Sequence, residues 1–373
     1  MKIPRSATSF LIALEALAMI IVLVLCIVHP WTTKPKNDLG GSNTELAGNQ
    51  QGLQENTENL IGSVVGSETE SGPEEIEVVF SEEVLAKVNA MTTEQKVAQL
   101  FIITPEALTG ADKVTLTGNT TKNALNQYPV GGLVYSSINF QGKAQVKNML
   151  NGVQTHYQTQ FGIPAFLMIS EQGGAEASPL ATTVNYTVEV APSEIGASGD
   201  SQNAVKAATN IAAYLKEVGF NINIAPNVAV YSQTDSVSSI MIAETVSTYE
   251  TKGISTVLHT FTSEKTGASE NDVLVYQAGI DAGCDAMMVS GANKEMVHYL
   301  RANMQYGGLL IHDGLATDKV VAAVQAGVDM MYCPENFVEA YQAVLDAVNA
   351  EEISKETLDT AVARILTCKA NYE

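Results

Sequence analysis

The residues able to do chemistry gather at the ends of three apolar runs. Ala165–Ser170 (AFLMIS) ends on Ser170 and leads into Glu171 and the pair Gly173-Gly174. Ile254–Phe261 (ISTVLHTF) carries His259, with Glu264 just beyond it. Gly308–Asp313 (GLLIHD) ends on His312 and Asp313. A carboxylate beside an imidazole or a second carboxyl can divide the work of nucleophile and acid/base. Other roles compete: Asp after a strand is a favoured helix cap, Glu171 fits a solvated loop, and His259 fits a satisfied structural histidine. His312 adjoins Asp313 in an extended run, so their side chains should project to opposite faces, with His312 under a helix. His259, His312 and Asp313 lack a recognisable metal-ligand spacing, and no C-x-x-C occurs, so neither metal nor cofactor is expected. Gly131-Gly132 and Gly307-Gly308 precede strands rather than helices, and so read as turns, not phosphate loops.

The elements that must position these groups follow from a repeating pattern. Beyond the three runs above, short apolar segments recur at Gln99–Thr104, Gly132–Ser136, Asn221–Pro226, Ala286–Ser290 and Met330–Cys333. Near-continuous apolar strands alternating with helices indicate a parallel sheet covered on both faces. Amphipathic helices are expected at 141–160, 202–218, 271–282, 294–305, 317–326, 336–350 and 354–370. Thr92 with Gln95 fits a reciprocal helix start. Eight such units predict an α/β fold, a (β/α)₈ TIM-type barrel in a single domain; an open doubly wound sheet is the alternative.

Composition sets the outer limits. An apolar fraction of 46% excludes wholesale disorder. A net charge of -21 excludes nucleic acid as a partner, since phosphates need cationic compensation. Cys284 and Cys333 sit in apolar stretches and read as small buried hydrophobes. Residues 10–28 (FLIALEALAMIIVLVLCIV) are long and apolar enough to span a bilayer, with no small-x-small cleavage site after them. The expected organisation is a signal anchor over 1–31, a flexible acidic linker over 32–77, and the barrel over 78–373. The membrane is thus an expected partner through the N-terminal helix. The folded domain is expected outside the cytoplasm, attached to the cell membrane by a single pass.

Six segments, in order, resemble family 3 glycoside hydrolases of the β-N-acetylglucosaminidase type. They are MTTEQKVAQLF (91–101), YPVGGLVYS (128–136), IPAFLMISEQGG (163–174), LKEVGFNINIAP (215–226), GLLIHDGL (308–315) and QAGVDMMYCP (325–334) with the closing ISKETLDTAVARILTCK (353–369). The penultimate stretch resembles the family's A-G-x-D-[ML]-x-[LM]-x-P. The resemblance implies hydrolysis of O-glycosyl bonds, of β-N-acetylhexosaminide type, in saccharides of the cell envelope. It places Asp313 where the family has its nucleophile. The family's D-Q-E-G-G-R is replaced by Ser170-Glu171-Gln172-Gly173-Gly174-Ala175, and its K-H-F by His259-Thr260-Phe261. The loop that carries the family's acid/base is short here, because Thr266 runs almost directly into a helix at Glu270. Glu171, His259 and Glu264 are therefore the acid/base candidates, and Ser170, Gly173, Gly174 and His312 the substrate-binding ones. The alternative expectation is a non-catalytic barrel that binds envelope glycan or scaffolds a protein partner.

Overall fold

A computed structural model describes residues 73–372, apart from 176, 230, 232–233, 267–269 and 315. The anchor expected over 10–28, and the linker up to residue 72, lie outside the described residues. Among the described residues, no helix is long and apolar enough to cross a membrane.

Eight parallel strands close in chain order into a barrel: β1 Phe101–Ile103, β2 Gly132–Val134, β3 Phe166–Ile169, β4 Ile222–Asn223, β5 Ser255–Thr262, β6 Ala286–Ser290, β7 Leu309–Asp313 and β8 Met330–Tyr332. β1 pairs with both β2 and β8, which excludes the open-sheet alternative. All but β5 and β6 are shorter than their apolar runs, because pairing stops where the chain turns toward its helix. Helices Lys143–Phe161, Ser201–Val218, Glu270–Asp281, Phe337–Asn349 and Lys355–Lys369 fall close to their expected spans. The expected helix at 294–305 is α-helical only to His298 and continues as a π turn, Tyr299–Asn303.

One long helix was not anticipated, Asp235–Lys252 between β4 and β5. Its buried side includes Ser238, Ser239, Thr245 and Thr248 beside Met241, Ile242, Val246 and Tyr249. A helix that buries hydroxyls on its inner face shows little apolar periodicity, so its sequence carries no amphipathic signature. The expected capping box is present: Gln95 N–H donates to Thr92 Oγ1 at 3.3 Å, and Thr92 N–H to Gln95 Oε1 at 2.9 Å.

Alternation along each strand divides the core in two. Ile102, Phe166, Met168, Val257, Met288 and Ile311 point into the barrel, while Leu133, Leu167, Leu258, Met287, Leu310 and Met331 face the helices. The lower end is closed by the C-terminal helix, whose Ile365 and Cys368 join the interior cluster. Tyr372 packs edge-on to Phe166 and hydrogen-bonds Ser255 Oγ at the start of β5. Lys369, fully enclosed there, donates to Gln99 Oε1 at 2.7 Å and lies over the Phe166 and Tyr157 rings. The open mouth is therefore at the C-terminal ends of the strands. Residues 73–77, which composition places in the linker, lie against the outside of the barrel. There Ile76 N–H donates to Arg301 O at 3.1 Å, and Glu75 meets His298 at 2.8 Å.

Candidate active site at the barrel mouth

Interior-facing positions continue upward from the core by steps of two. Ile311 leads to Asp313 on β7, Met288 to Ser290 on β6, Met168 to Ser170 after β3, and Met330 to Tyr332 on β8. Asp313 is half-buried at the last position of β7, with its side chain on the interior face. His259 stands on β5 beside the irregularity between Leu258 and Phe261, and its peptide bond to Thr260 is cis. Its backbone is tied to the loop after β4: His259 N–H donates to Pro226 O at 3.3 Å, and Val228 N–H donates to His259 O at 3.1 Å. Burial holds the imidazole below its ordinary 6.5, and the Asp313 carboxylate pulls it the other way. The fold thus brings His259 and Asp313 into one electrostatic neighbourhood although they stand 54 positions apart in the sequence.

The other sequence candidates divide sharply. His312 is 6% exposed and faces the helix layer, as strand alternation requires. Its Nε2 accepts from Ala292 N–H at 3.3 Å and its Nδ1 donates to Asp313 O at 2.9 Å, which assigns a neutral ring protonated on Nδ1. With both nitrogens committed to backbone and the ring turned away from the barrel interior, its expected place at the mouth is corrected. Glu171 is corrected too: it is neither solvated nor at the mouth, being 0% exposed. Its carboxylate accepts from Leu180 N–H at 3.2 Å, Ala181 N–H at 3.3 Å and Tyr214 O–H at 2.8 Å. Burial outweighs these three donors and raises its pKa to about 7.

Ser170 is exposed at the rim and donates to Ile224 O at 3.3 Å. Gly173 and Gly174 shape the turn after it at φ 87° and 80°; a Cβ on Gly173 would stand 2.7 Å from Val190 O. Gln172 clamps that turn to the loop after β4, donating to Ile224 O at 2.7 Å and accepting from Asn227 N–H at 3.1 Å. Glu264 lies exposed on the short turn Ser263–Lys265 that follows β5. Among the described residues, no group of three His, Cys, Asp or Glu side chains is placed to hold a metal ion.

Two mouth residues escaped the sequence reading. Tyr332 and Cys333 at the end of β8 pack against the interior cluster, and both feel the Asp313 carboxylate. Cys333, read as a buried hydrophobe, is instead half-buried at the rim with φ 44°. The step of two from Met330, applied to the last apolar run, would have flagged Tyr332.

Residues 92–241 and 248–368 match the family model described as glycosyl hydrolase family 3 N terminal domain. The chain belongs to glycosyl hydrolase family 3. A relative, beta-hexosaminidase A of Pseudoalteromonas piscicida, is 21% identical over 324 residues, covering 66% of this chain and 54% of that protein. The family 3 chain thus spans about half the length of this curated relative. Among solved structures, a family 3 β-N-acetylglucosaminidase from Paenibacillus sp. str. FPU-7 superposes with a TM-score of 0.67 at 22% identity, covering 76% of this chain and 63% of that one. A β-N-acetylhexosaminidase from Beutenbergia cavernae DSM 12333 superposes at 0.64 and 19% identity, covering 75% of this family 3 chain and 99% of that one. At such identities the superpositions establish the shared fold alone.

Proposed function

We propose that this family 3 protein is a membrane-tethered, extracytoplasmic glycosidase that cleaves β-linked amino-sugar glycosides of envelope saccharides. Asp313 is the nucleophile and His259 the acid/base. The observation that carries the reading is the pairing of an inward-facing carboxylate with an imidazole at the C-terminal mouth of the barrel, where this fold conducts its chemistry. The names of the hexosaminidase relatives support the substrate class, and the apolar run at 10–28 supports the tether.

In the first step the Asp313 carboxylate bonds to the anomeric carbon while the bond to the leaving oxygen breaks. Protonated His259 gives its proton to that oxygen. In the second, neutral His259 takes a proton from water, whose oxygen bonds to the anomeric carbon as the ester to Asp313 breaks. The net reaction consumes one water and returns both side chains to their starting states.

The test is turnover of aryl β-N-acetylglucosaminide and aryl β-glucoside by the purified chain, beside Asp313→Asn. The expected result is hydrolysis by the wild type and a loss on the order of 10³-fold or more in the variant. Hydrolysis that survives Asp313→Asn removes Asp313 as nucleophile. Saccharide binding with no hydrolysis replaces the glycosidase with a glycan-binding barrel.

A further inference from the structure

We infer that Tyr332 is a substrate-contacting specificity residue, whose phenol donates a hydrogen bond to the sugar held against Asp313. The inference rests on the saccharide reading above, and deepens it at the same site.

Register places the two residues side by side. β7 and β8 pair as Ile311 with Met330, His312 with Met331 and Asp313 with Tyr332. Paired positions in parallel strands project to the same face. Ile311 and Met330 lie in the barrel interior, and Met331 lies in the outer layer, so the next pair, Asp313 and Tyr332, faces inward at the mouth. Tyr332 is half-buried and packs against the top of the interior cluster. Its side chain therefore shares the space above the core with the carboxylate that attacks the sugar.

The phenol is equipped to donate and has nothing else to do. Burial, with Cys333 and Asp313 adding to it, drives its pKa far above the ordinary 10.0, so the group stays protonated. Tyr157, Tyr214, Tyr231 and Tyr276 spend their hydroxyls on Val130 O, Glu171, Thr245 and Thr260 O. Tyr332 has no hydrogen-bond partner among the described residues. A ring with one apolar body and one polar tip suits a pyranose, which offers C–H faces edged by hydroxyls. Tyr332 also stands where the resembling motif carries Leu or Met, so packing of the shared barrel does not require a phenol. Ser170, across the mouth, is too short to grip a sugar as a carboxylate would, and Tyr332 supplies a donor from the opposite wall.

The experiment uses the full chain, wild type and with Tyr332→Phe or Tyr332→Leu. Calorimetric binding of N-acetylglucosamine and turnover of its aryl β-glycoside are read for each, with thermal melts to verify folding. The expected result is binding about tenfold weaker in Tyr332→Phe, with KM raised in step, kcat changed by less than about threefold and an unchanged melt. Tyr332→Leu, lacking ring and hydroxyl, should lose at least as much. Tyr332→Phe within about twofold of an active or binding wild type in both measurements overturns the role of Tyr332 alone. A folded wild type that neither binds nor cleaves overturns the saccharide reading, and this inference with it.

Discussion

Asp313 ends one apolar strand and Glu171 follows another, and only their surroundings separate their roles. Asp313 projects from an interior-facing position into the mouth, whereas Glu171 folds beneath the turn after β3 and anchors Leu180, Ala181 and Tyr214. Glu171→Ala would leave three buried donors without a partner. Urea unfolding should show a loss of about 3 kcal/mol or more, since each orphaned donor costs roughly 1–3 kcal/mol. Normal stability in that variant would remove the anchoring role. For His259 in the proposed acid/base role, the sign of the pH effect follows from its chemistry. A general acid must be protonated, and burial lowers the pKa of this imidazole below 6.5. The rate should therefore fall as pH rises through a value below 6.5, and His259→Gln should abolish that limb while lowering kcat by about 10²–10⁴-fold. An alkaline limb above pH 7 that persists in His259→Gln would assign the acid elsewhere.

The strands hold these groups in place through close backbone contacts as much as through apolar packing. Gly131 has no left-handed backbone to demand glycine; its reason is proximity, since a Cβ there would stand 2.1 Å from Gln99 O and 2.4 Å from Met330 Cε. The pair Gly131-Gly132 thus does more than turn the chain: it lets β2 enter against β1 and β8. Gly131→Ala should destabilise by about 1–3 kcal/mol through forced displacement of β2, readable as a lower urea midpoint with an unchanged slope. The asparagines of the stretch GFNIN serve the neighbouring seam. Asn221 Oδ1 accepts from Leu167 N–H at 2.7 Å, and Asn223 Oδ1 accepts from Glu171 N–H at 2.9 Å. They join β4 to β3 and do not reach the mouth. Asp329, the acid of the A-G-x-D stretch, is likewise structural. Fully buried, it pairs with Arg301 at 2.8 Å and Arg364 at 3.1 Å, and accepts from Leu310 N–H at 2.8 Å. It fastens β7 to two outer helices.

Across the whole molecule, buried carboxyls tie stability to pH. Glu171 is raised to about 7 and Glu250 to about 8, while Asp285, beside Glu250 under the barrel, is raised as well; in each case burial is the first cause. A raised carboxyl means the folded state keeps a proton that the unfolded chain releases. Its stabilising share is full below about 4.5 and disappears as pH climbs through 7 to 8. Self-repulsion within a chain of net charge -21 acts in the same direction. Lys369 opposes them: burial lowers it to about 7, so its share is lost as pH falls toward 7 and recovered above. Burial lowers His259 and His312 as well, so their shares shrink as pH falls below 6.5 and oppose the carboxyls there; the larger rises of Glu171 and Glu250, with Asp285 beside them, set the net direction below pH 7. The melting temperature should therefore decline from pH 5 to pH 7, and Glu171→Gln with Glu250→Gln should flatten that decline. An unchanged slope in the double variant would show that these groups are not buried as described.

Much of this architecture was legible in the chain itself. Strand-length apolar runs, separated by helical periods, report which segments are buried on both faces, and that local record suffices for eight strands in order. The alternation that sent His312 outward from Asp313 is equally local, fixed by the pleat. The segment Asp235–Lys252 was illegible because its buried face carries hydroxyls: Ser239 donates back to Asp235 O within the helix, and Thr245 meets the Tyr231 hydroxyl from the preceding loop. Glu171 was illegible because its donors Tyr214, Leu180 and Ala181 arrive from other elements, and only they make a buried carboxyl tolerable. Sequence by itself determined eight strand-like runs, their succession along the chain and the place of Asp313 at the end of the seventh. Closure of the barrel alone decided that His259 from β5 and Tyr332 from β8 stand around that carboxylate, because a pocket is a relation among strand ends that no single stretch of chain contains.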